Sequence, residues 1–260
     1  MIESNSNNQI KYIVHLKKSA RFRRKEQLFL VEGFKMVKEA LTRDLVEKIY
    51  IAENCHMDLP EKVHSQVEIV SDRLFRELSD TTTPQGVLAL VRMPQYSWED
   101  FLEDKDASLL CLEDINDPGN LGTMLRTAEG AGMSAVVVSK NTVDPFHPKV
   151  VRATMGAMFR MPVLIREDFI QSMKELKEKS FHIYAAHLDG KFAYTEESYC
   201  GKVAILIGNE ANGLSNEATE IADKKVLIPM KGQLESLNAA VSAAILMYEV
   251  ARKRFGEEKI

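Results

Sequence analysis

Hydrophobic positions follow two different rhythms along this 260-residue chain. In the first stretch, short β-rich runs alternate with amphipathic helical segments. FLVEGFKMVKEAL places Phe34, Val37 and Leu41 at helical spacing, with Met36 and Ala40 beside them. EKIYIA, QVEIV and GVLALV read as strands, and DRLFRELSD reads as a helix with Asp72 near its start. RMPQYSWEDFLEDKDAS then breaks the composition with Pro94, the single Trp and a run of acids, which predicts a linker. Beyond it the strands lengthen and lose their polar alternation. SLLCLED, SAVVVS, MPVLI, FHIYAAH, VAILIG and KVLIP are Val/Ile/Leu-rich, and helical segments separate most of them. Continuous apolar strands alternating with helices predict an α/β fold, with a parallel sheet covered on both faces. The expected division is a disordered N-terminus at residues 1–10, a first domain over 11–93, a linker over 94–106 and a second domain over 107–260.

The final helix, from about Leu237 to Arg254, carries two apolar stripes. Leu237, Val241, Ala244, Ile245 and Tyr248 form one; Ala239, Ala243, Leu246 and Val250 form the other. A helix that is apolar on two sides is expected to be buried on two sides. The sheet supplies one partner, and a second copy of the chain is the economical choice for the other. A helix sunk wholly within one domain is the alternative.

Composition adds limits. Apolar residues make up 45% and charged residues 28% of the chain, an ordinary globular balance with enough length for a sizeable core. Three separated cysteines, Cys55, Cys111 and Cys200, form no metal-ligand spacing and read as reduced thiols, so no metal is expected. No apolar run is long enough to span a bilayer, and the Ser/Asn-rich start lacks a signal-peptide core. A cytoplasmic protein is expected. Net charge is −4, yet Lys11, Lys17, Lys18, Arg21, Arg23, Arg24 and Lys25 crowd one stretch with no acid before Glu26. Such a cluster can neutralise phosphates, or can be the solvated face of a helix.

Three segments carry candidate chemistry. LEDINDPGNLGTMLRTAEGAG runs strand, turn, helix. Asn120 reads as a helix cap, and Arg126 projects well off the apolar face made by Leu121, Met124, Leu125, Ala128 and Ala131. AILIGNEANGLSNE ends a buried strand in Gly208, Asn209, Glu210, Ala211, Asn212 and Gly213, small or turn-prone residues that let backbone approach a ligand. VLIPMKGQLESLNAAVSAA ends another strand at Ile228-Pro229-Met230 and starts a helix near Ser236 and Asn238, with Ser236 a plausible cap. Ligand sites in parallel sheets lie at such strand ends. A dinucleotide-binding fold is disfavoured, because Gly-x-Gly-x-x-Gly does not follow the first strand of this half; Gly130 and Gly132 fall at a helix end.

In order and spacing, these segments resemble the three motifs of the SpoU–TrmH family of RNA ribose 2′-O-methyltransferases. Asn120-Leu121-Gly122 with Arg126 and Ala128 matches the first. Gly208-Asn209-Glu210 with Gly213-Leu214 matches the second. Ile228-Pro229-Met230 with Glu235-Ser236-Leu237-Asn238 matches the third. VEGFKMVKEAL and TPQGVLALV resemble the accessory substrate-binding domain of that family, a small ribosomal-protein-like α/β fold that grips RNA.

The resemblance implies a C-terminal parallel-sheet α/β domain tied in a deep trefoil knot, a rare exception to chain topology. It also implies a homodimer with the last helix in its interface, and S-adenosyl-L-methionine as cofactor. Cofactor contacts would fall on Gly208, Asn209, Ile228, Met230, Ser236 and Leu237. Arg126 would be the principal catalytic residue, with Asn120, Glu210, Ser236 and Asn238 shaping the site. Arg126 either accepts the hydroxyl proton, as family proposals have it, or holds a phosphate near the 2′-hydroxyl, which suits a group that is always protonated. Lys17, Lys18, Arg21, Arg23, Arg24 and Lys25 would bind RNA. Ribosomal RNA is favoured over transfer RNA as substrate, by analogy with members carrying this accessory domain. A transfer-RNA methyltransferase and a non-catalytic RNA-binding protein of the same fold are the alternatives.

Overall fold

A computed structural model describes residues 1–256, so the last four residues of the expected 107–260 domain lie outside it. The chain divides into two compact units. The first comprises Met1–Gln95 and Asp144–Phe159; the second comprises Tyr96–Val143 and the chain from Arg160 onward.

The first unit runs α1 (Asn8–Lys18), α2 (Ala20–Glu26), β1 (Leu28–Glu32), α3 (Phe34–Thr42), β2 (Val46–Ala52), β3 (Val67–Val70), α4 (Asp72–Leu78) and β4 (Val87–Arg92). Its sheet has the order β1-β4-β2-β3, with β4 antiparallel to both neighbours and β2 parallel to β3. Strand alternation gives the sheet two apolar faces. Val87, Ala89 and Val91 of β4 pack with Met36, Val37 and Ala40 of α3, and Leu88 and Leu90 pack with Ile10, Ile13 and Leu16 of α1 and Leu74, Phe75 and Leu78 of α4.

Three expectations need correction here. Residues 1–10 are not disordered. Ile2 is buried and extends the sheet edge, donating its N–H to Ile69 O at 2.8 Å and accepting from Ser71 N at 2.9 Å. Asn7 caps α1. A single apolar residue in a polar run is enough to pair an otherwise open strand edge. Second, Asp144–Phe159 packs in the first unit, where Phe146, Val151, Met158 and Phe159 join the α3 face of the core. Third, Arg23 is no surface cation. It is 1% exposed, donates through Nε to Asp144 Oδ2 at 2.7 Å and through Nη1 to Leu16 O at 2.5 Å, and pairs with Asp144 through Nη2 as well. Arg23→Ala would leave the Asp144 carboxylate buried without its counter-charge, so a loss of about 3–5 kcal/mol is expected. Urea unfolding of wild type and variant checks it.

In the second unit come α5 (Trp98–Glu103), β5 (Ser108–Leu112), α6 (Pro118–Gly130) and β6 (Ala135–Ser139). After α7 (Pro148–Ala153), which lies in the first unit, follow β7 (Val163–Arg166), α8 (Phe169–Glu178), β8 (His182–Ala186), β9 (Phe192–Ala193), β10 (Val203–Ile207), α9 (Asn216–Ile221), β11 (Lys224–Leu227) and α10 (Ala239–Phe255). The strands form one parallel sheet in the order β7-β6-β5-β10-β8-β11-β9. Every residue of β5, β6 and β10 is buried, as their unbroken apolar runs require. The expected linker is a helix instead: Trp98 and Leu102 of α5, one turn apart, are buried in the core beside Leu109, Phe169 and Met173.

Strand β10 enters between β5 and β8, which precede it in the chain. The chain then runs outward to β11 and returns, so that α10 packs on α6 and β10. Ala243, Leu246 and Val250 are buried on that return, whereas Val241 and Tyr248 on the other stripe stay 47% and 44% exposed.

Candidate functional site

The site begins at the C-terminal end of β10. Gly208 follows the strand, and the chain turns back so that Asn209 N donates to Gly213 O at 3.0 Å and Gly213 N to Asn209 O at 2.9 Å. Asn209 Oδ1 accepts from Ala211 N and Asn212 N, while its Nδ2 donates to Asp114 O at 2.7 Å beyond β5. Glu113 accepts from the backbone and hydroxyl of Ser215. The loop is thus laced to the end of β5 along with its own turn. Gly208 sits where this turn comes closest: a Cβ there would lie 2.1 Å from the Gly213 carbonyl carbon.

Around this loop lies a cleft of about 400 Å³. The ends of β8, β10 and β11 and the start of α10 form its walls. Parallel pairing of β10 with β8 and of β8 with β11 brings those strand ends to one edge. Gly208, Asn209, Glu210, Ile228, Met230, Ser236 and Leu237, drawn from two separate motifs, all face it. Its apolar wall offers a slot for a flat ring, and the Ser236 and Ser242 hydroxyls and the loop backbone supply polar partners.

Glu210 also anchors a hydrogen-bond chain that ties all three motifs together. Its carboxylate accepts from Asn116 N and Asp117 N, both at 3.1 Å, and from Asn120 Nδ2 at 2.9 Å. Asn120 Oδ1 accepts from Asn238 Nδ2 at 3.0 Å, and Asn238 Oδ1 accepts from Ala240 N and Val241 N at the start of α10. Burial alone would raise the Glu210 pKa, but the donors of Asn120, Asn116 and Asp117 outweigh it and hold the carboxyl below its usual range. Glu210 is therefore an ionised strut and a weak proton acceptor. Two cap assignments change accordingly. Asp117, not Asn120, caps α6 by accepting from Asn120 N at 2.7 Å, and Asn238, not Ser236, caps α10.

Arg126 lies on α6, about 9 Å along the helix from Asn120 at 1.5 Å per residue. It is exposed and, among the described residues, makes no hydrogen bond or ion pair, and it does not line the cleft. The basic stretch is scattered in role. Lys17 pairs with Asp80 at 2.9 Å and donates to Leu78 O, Arg23 is buried, Arg24 is half-buried, and Lys18, Arg21 and Lys25 are exposed. Sequence reasoning missed the turn after β8. Ala186, His187, Leu188 and Asp189 form one side of the cleft. The only signal was an apolar strand ending in His-Leu-Asp-Gly, and its place beside β10 becomes visible only with the strand order.

Comparison with known proteins agrees in both units. The profile described as the SpoU rRNA Methylase family matches residues 107–248, and an MRM3-like substrate binding domain matches residues 7–89. The chain is 34% identical over 255 residues to the 23S rRNA (guanosine(2553)-2′-O)-methyltransferase RlmP of Bacillus subtilis (strain 168), covering 96% of this chain and 98% of that protein. It is 28% identical to human mitochondrial rRNA methyltransferase 3, covering 94% of this chain and 72% of that one. The AdoMet-bound crystal structure of an rRNA methyltransferase from Sinorhizobium meliloti superposes with a TM-score of 0.85 at 29% identity, covering 96% of this chain and 97% of that one. With a family match over more than half its length, and a relative this similar from end to end, the chain belongs to the SpoU rRNA methylase family.

Proposed function

We propose that this protein transfers a methyl group from S-adenosyl-L-methionine to a ribose 2′-hydroxyl of ribosomal RNA. The observation that carries the reading is the cleft at the ends of β8, β10 and β11, which gathers Gly208 and Asn209 of the second motif with Ile228, Met230, Ser236 and Leu237 of the third. Its volume and its mix of apolar wall, hydroxyls and backbone suit an adenosyl group with an amino-acid tail. When bound, the cofactor supplies a methyl already activated by the sulfonium charge. The return from β11 to α10 is where the trefoil knot of the family would form.

The protein's own task is alignment and proton handling. Arg126 presents, from about two turns into α6, a guanidinium with no partner among the described residues. It holds a phosphodiester in its planar fork, so that the adjacent 2′-hydroxyl lies in line with the methyl and the phosphate oxygen can take the proton. Glu210, Asn120 and Asn238 keep the two cofactor loops and α6 in register and act as positioning residues. Ser236 contributes a hydroxyl from the cleft wall.

Purified protein incubated with methyl-labelled S-adenosylmethionine and unmodified 23S ribosomal RNA should yield a labelled 2′-O-methylnucleoside on digestion. Label appearing on a base, or label found in a parallel transfer-RNA sample but not in ribosomal RNA, would overturn the reading. Likeness to the Bacillus subtilis enzyme supports a cytoplasmic setting, and no helix among the described residues is long and apolar enough to cross a membrane.

The working form is proposed to be a homodimer joined through the bare stripe of α10. Val241 and Tyr248 there are nearly half exposed although the sequence makes that side apolar. Tyr248→Glu is expected to convert the dimer to monomer in analytical ultracentrifugation. An unchanged sedimentation coefficient would refute that interface.

A further inference from the structure

A second cleft, of about 390 Å³, lies wholly within the first unit, between the start of α3, the end of β2, α4 and the turn before β4. Gly86 lines it, and Gly33 precedes its wall residue Phe34. Gly33 and Gly86 have φ of +96° and +80°, and a Cβ on Gly86 would come within 2.6 Å of Cys55 Cβ. A side chain at either position would be strained, and at Gly86 it would also drive into Cys55. Gln85 Oε1 accepts from Phe34 N at 2.8 Å, which fixes its amide so that Nε2 remains as donor. Arg76 and His56 are exposed on the rim and, among the described residues, have no hydrogen-bond or ionic partner. Asn54 is braced by Asp72. Phe34 is half-buried at the wall, available to stack. One aromatic face, a cation and fixed amide groups around a pocket of nucleotide size form the chemistry that holds a base splayed out of a single strand.

We propose that this cleft receives one unpaired base of the substrate RNA: Phe34 stacks on it, Gln85 and Asn54 meet its edge, and Arg76 holds its phosphate. The proposal rests on the ribosomal-RNA reading given above. It also relocates recognition. Of the basic stretch first expected to bind RNA, Arg23 and Lys17 are engaged inside the unit, Arg24 is half-buried and Lys25 lies 3.5 Å from Glu26, so the exposed Lys18 and Arg21 remain for non-specific phosphate contact.

The test uses the full-length protein, transcribed 23S ribosomal RNA as probe, and calorimetry with S-adenosylmethionine alone. Phe34→Ala and Arg76→Ala are each expected to raise the Kd for the RNA about tenfold with donor affinity unchanged. Arg76 is exposed and has no side-chain partner among the described residues, so that variant keeps the test informative if Phe34→Ala folds poorly. Ultraviolet cross-links mapped by mass spectrometry are expected in peptides containing Phe34 or Gln85. RNA affinity unchanged in Arg76→Ala together with cross-links confined to α1 and α2 would overturn the cleft while leaving the methyltransferase reading intact. Wild-type protein that binds the donor but not the RNA would overturn the ribosomal-RNA reading, and the cleft proposal with it.

Discussion

Arg126→Lys is expected to lower kcat about a hundredfold while leaving donor affinity unchanged, because one preorganised charged donor at a reacting centre is worth about that much. The two halves of this expectation have separate structural causes. In the proposed mechanism donor affinity depends on the cleft, and Arg126 does not line it. In the same mechanism turnover depends on where the RNA phosphate is held, and a lysine offers a single flexible point charge in place of a planar fork that binds two oxygens at once. Charge is conserved in the substitution, so non-specific RNA attraction should barely change. Arg126 has no side-chain partner among the described residues, so stability should not change either. The measurements are single-turnover methylation of ribosomal RNA, calorimetric titration with S-adenosylmethionine, and thermal unfolding. Near-normal turnover in Arg126→Lys would remove Arg126 from the reaction altogether. A loss confined to donor affinity would move it into the cofactor cleft.

Arg126 also shows where sequence reading succeeds and where it stops. Its exposure follows from helical phase alone, since Leu121, Met124, Leu125 and Ala128 are all buried on the opposite side. The same local logic located β5, β6, β7, β8, β10 and β11, whose apolar runs are long enough to be seen without knowing their neighbours. The two-residue β9 and the short α7 carry too few residues for a periodic signal. Non-local facts were out of reach. Arg23 looked like one more surface cation, because its partner Asp144 lies 121 residues away. Asn120 looked like a cap, because the groups that claim its side chain, Glu210 and Asn238, come from two other segments. The site divides in the same way. Residue types at strand ends marked two walls of the cleft, but the His187–Asp189 turn entered only through the position of β8 next to β10. Periodicity reports which face a residue occupies. Which other faces it meets depends on strand order.

Gly208→Ala should have the largest effect on donor binding, a fall of about a hundredfold, although it adds one methyl group. The cause is space, because Gly208 is not among the residues held at positive φ. An added Cβ would lie 2.1 Å from Gly213 C, 2.2 Å from Leu214 N and 2.3 Å from Gly213 O. All three are backbone atoms of the turn that closes over it, so no side-chain rotation relieves the overlap. The turn must open, which breaks the paired Asn209–Gly213 hydrogen bonds and moves Glu210 away from the start of α6. Gly213→Ala supplies the contrast. Gly213 has φ of +69° and open space around its missing Cβ. A substitution there meets only the left-handed backbone penalty, about 1–2 kcal/mol. If steric closure of the loop shapes the cleft, Gly208→Ala loses donor affinity far more severely than Gly213→Ala in parallel calorimetric titrations. Equal losses would mean that loop flexibility, not the close approach of two backbone segments, is what the cleft requires of these glycines.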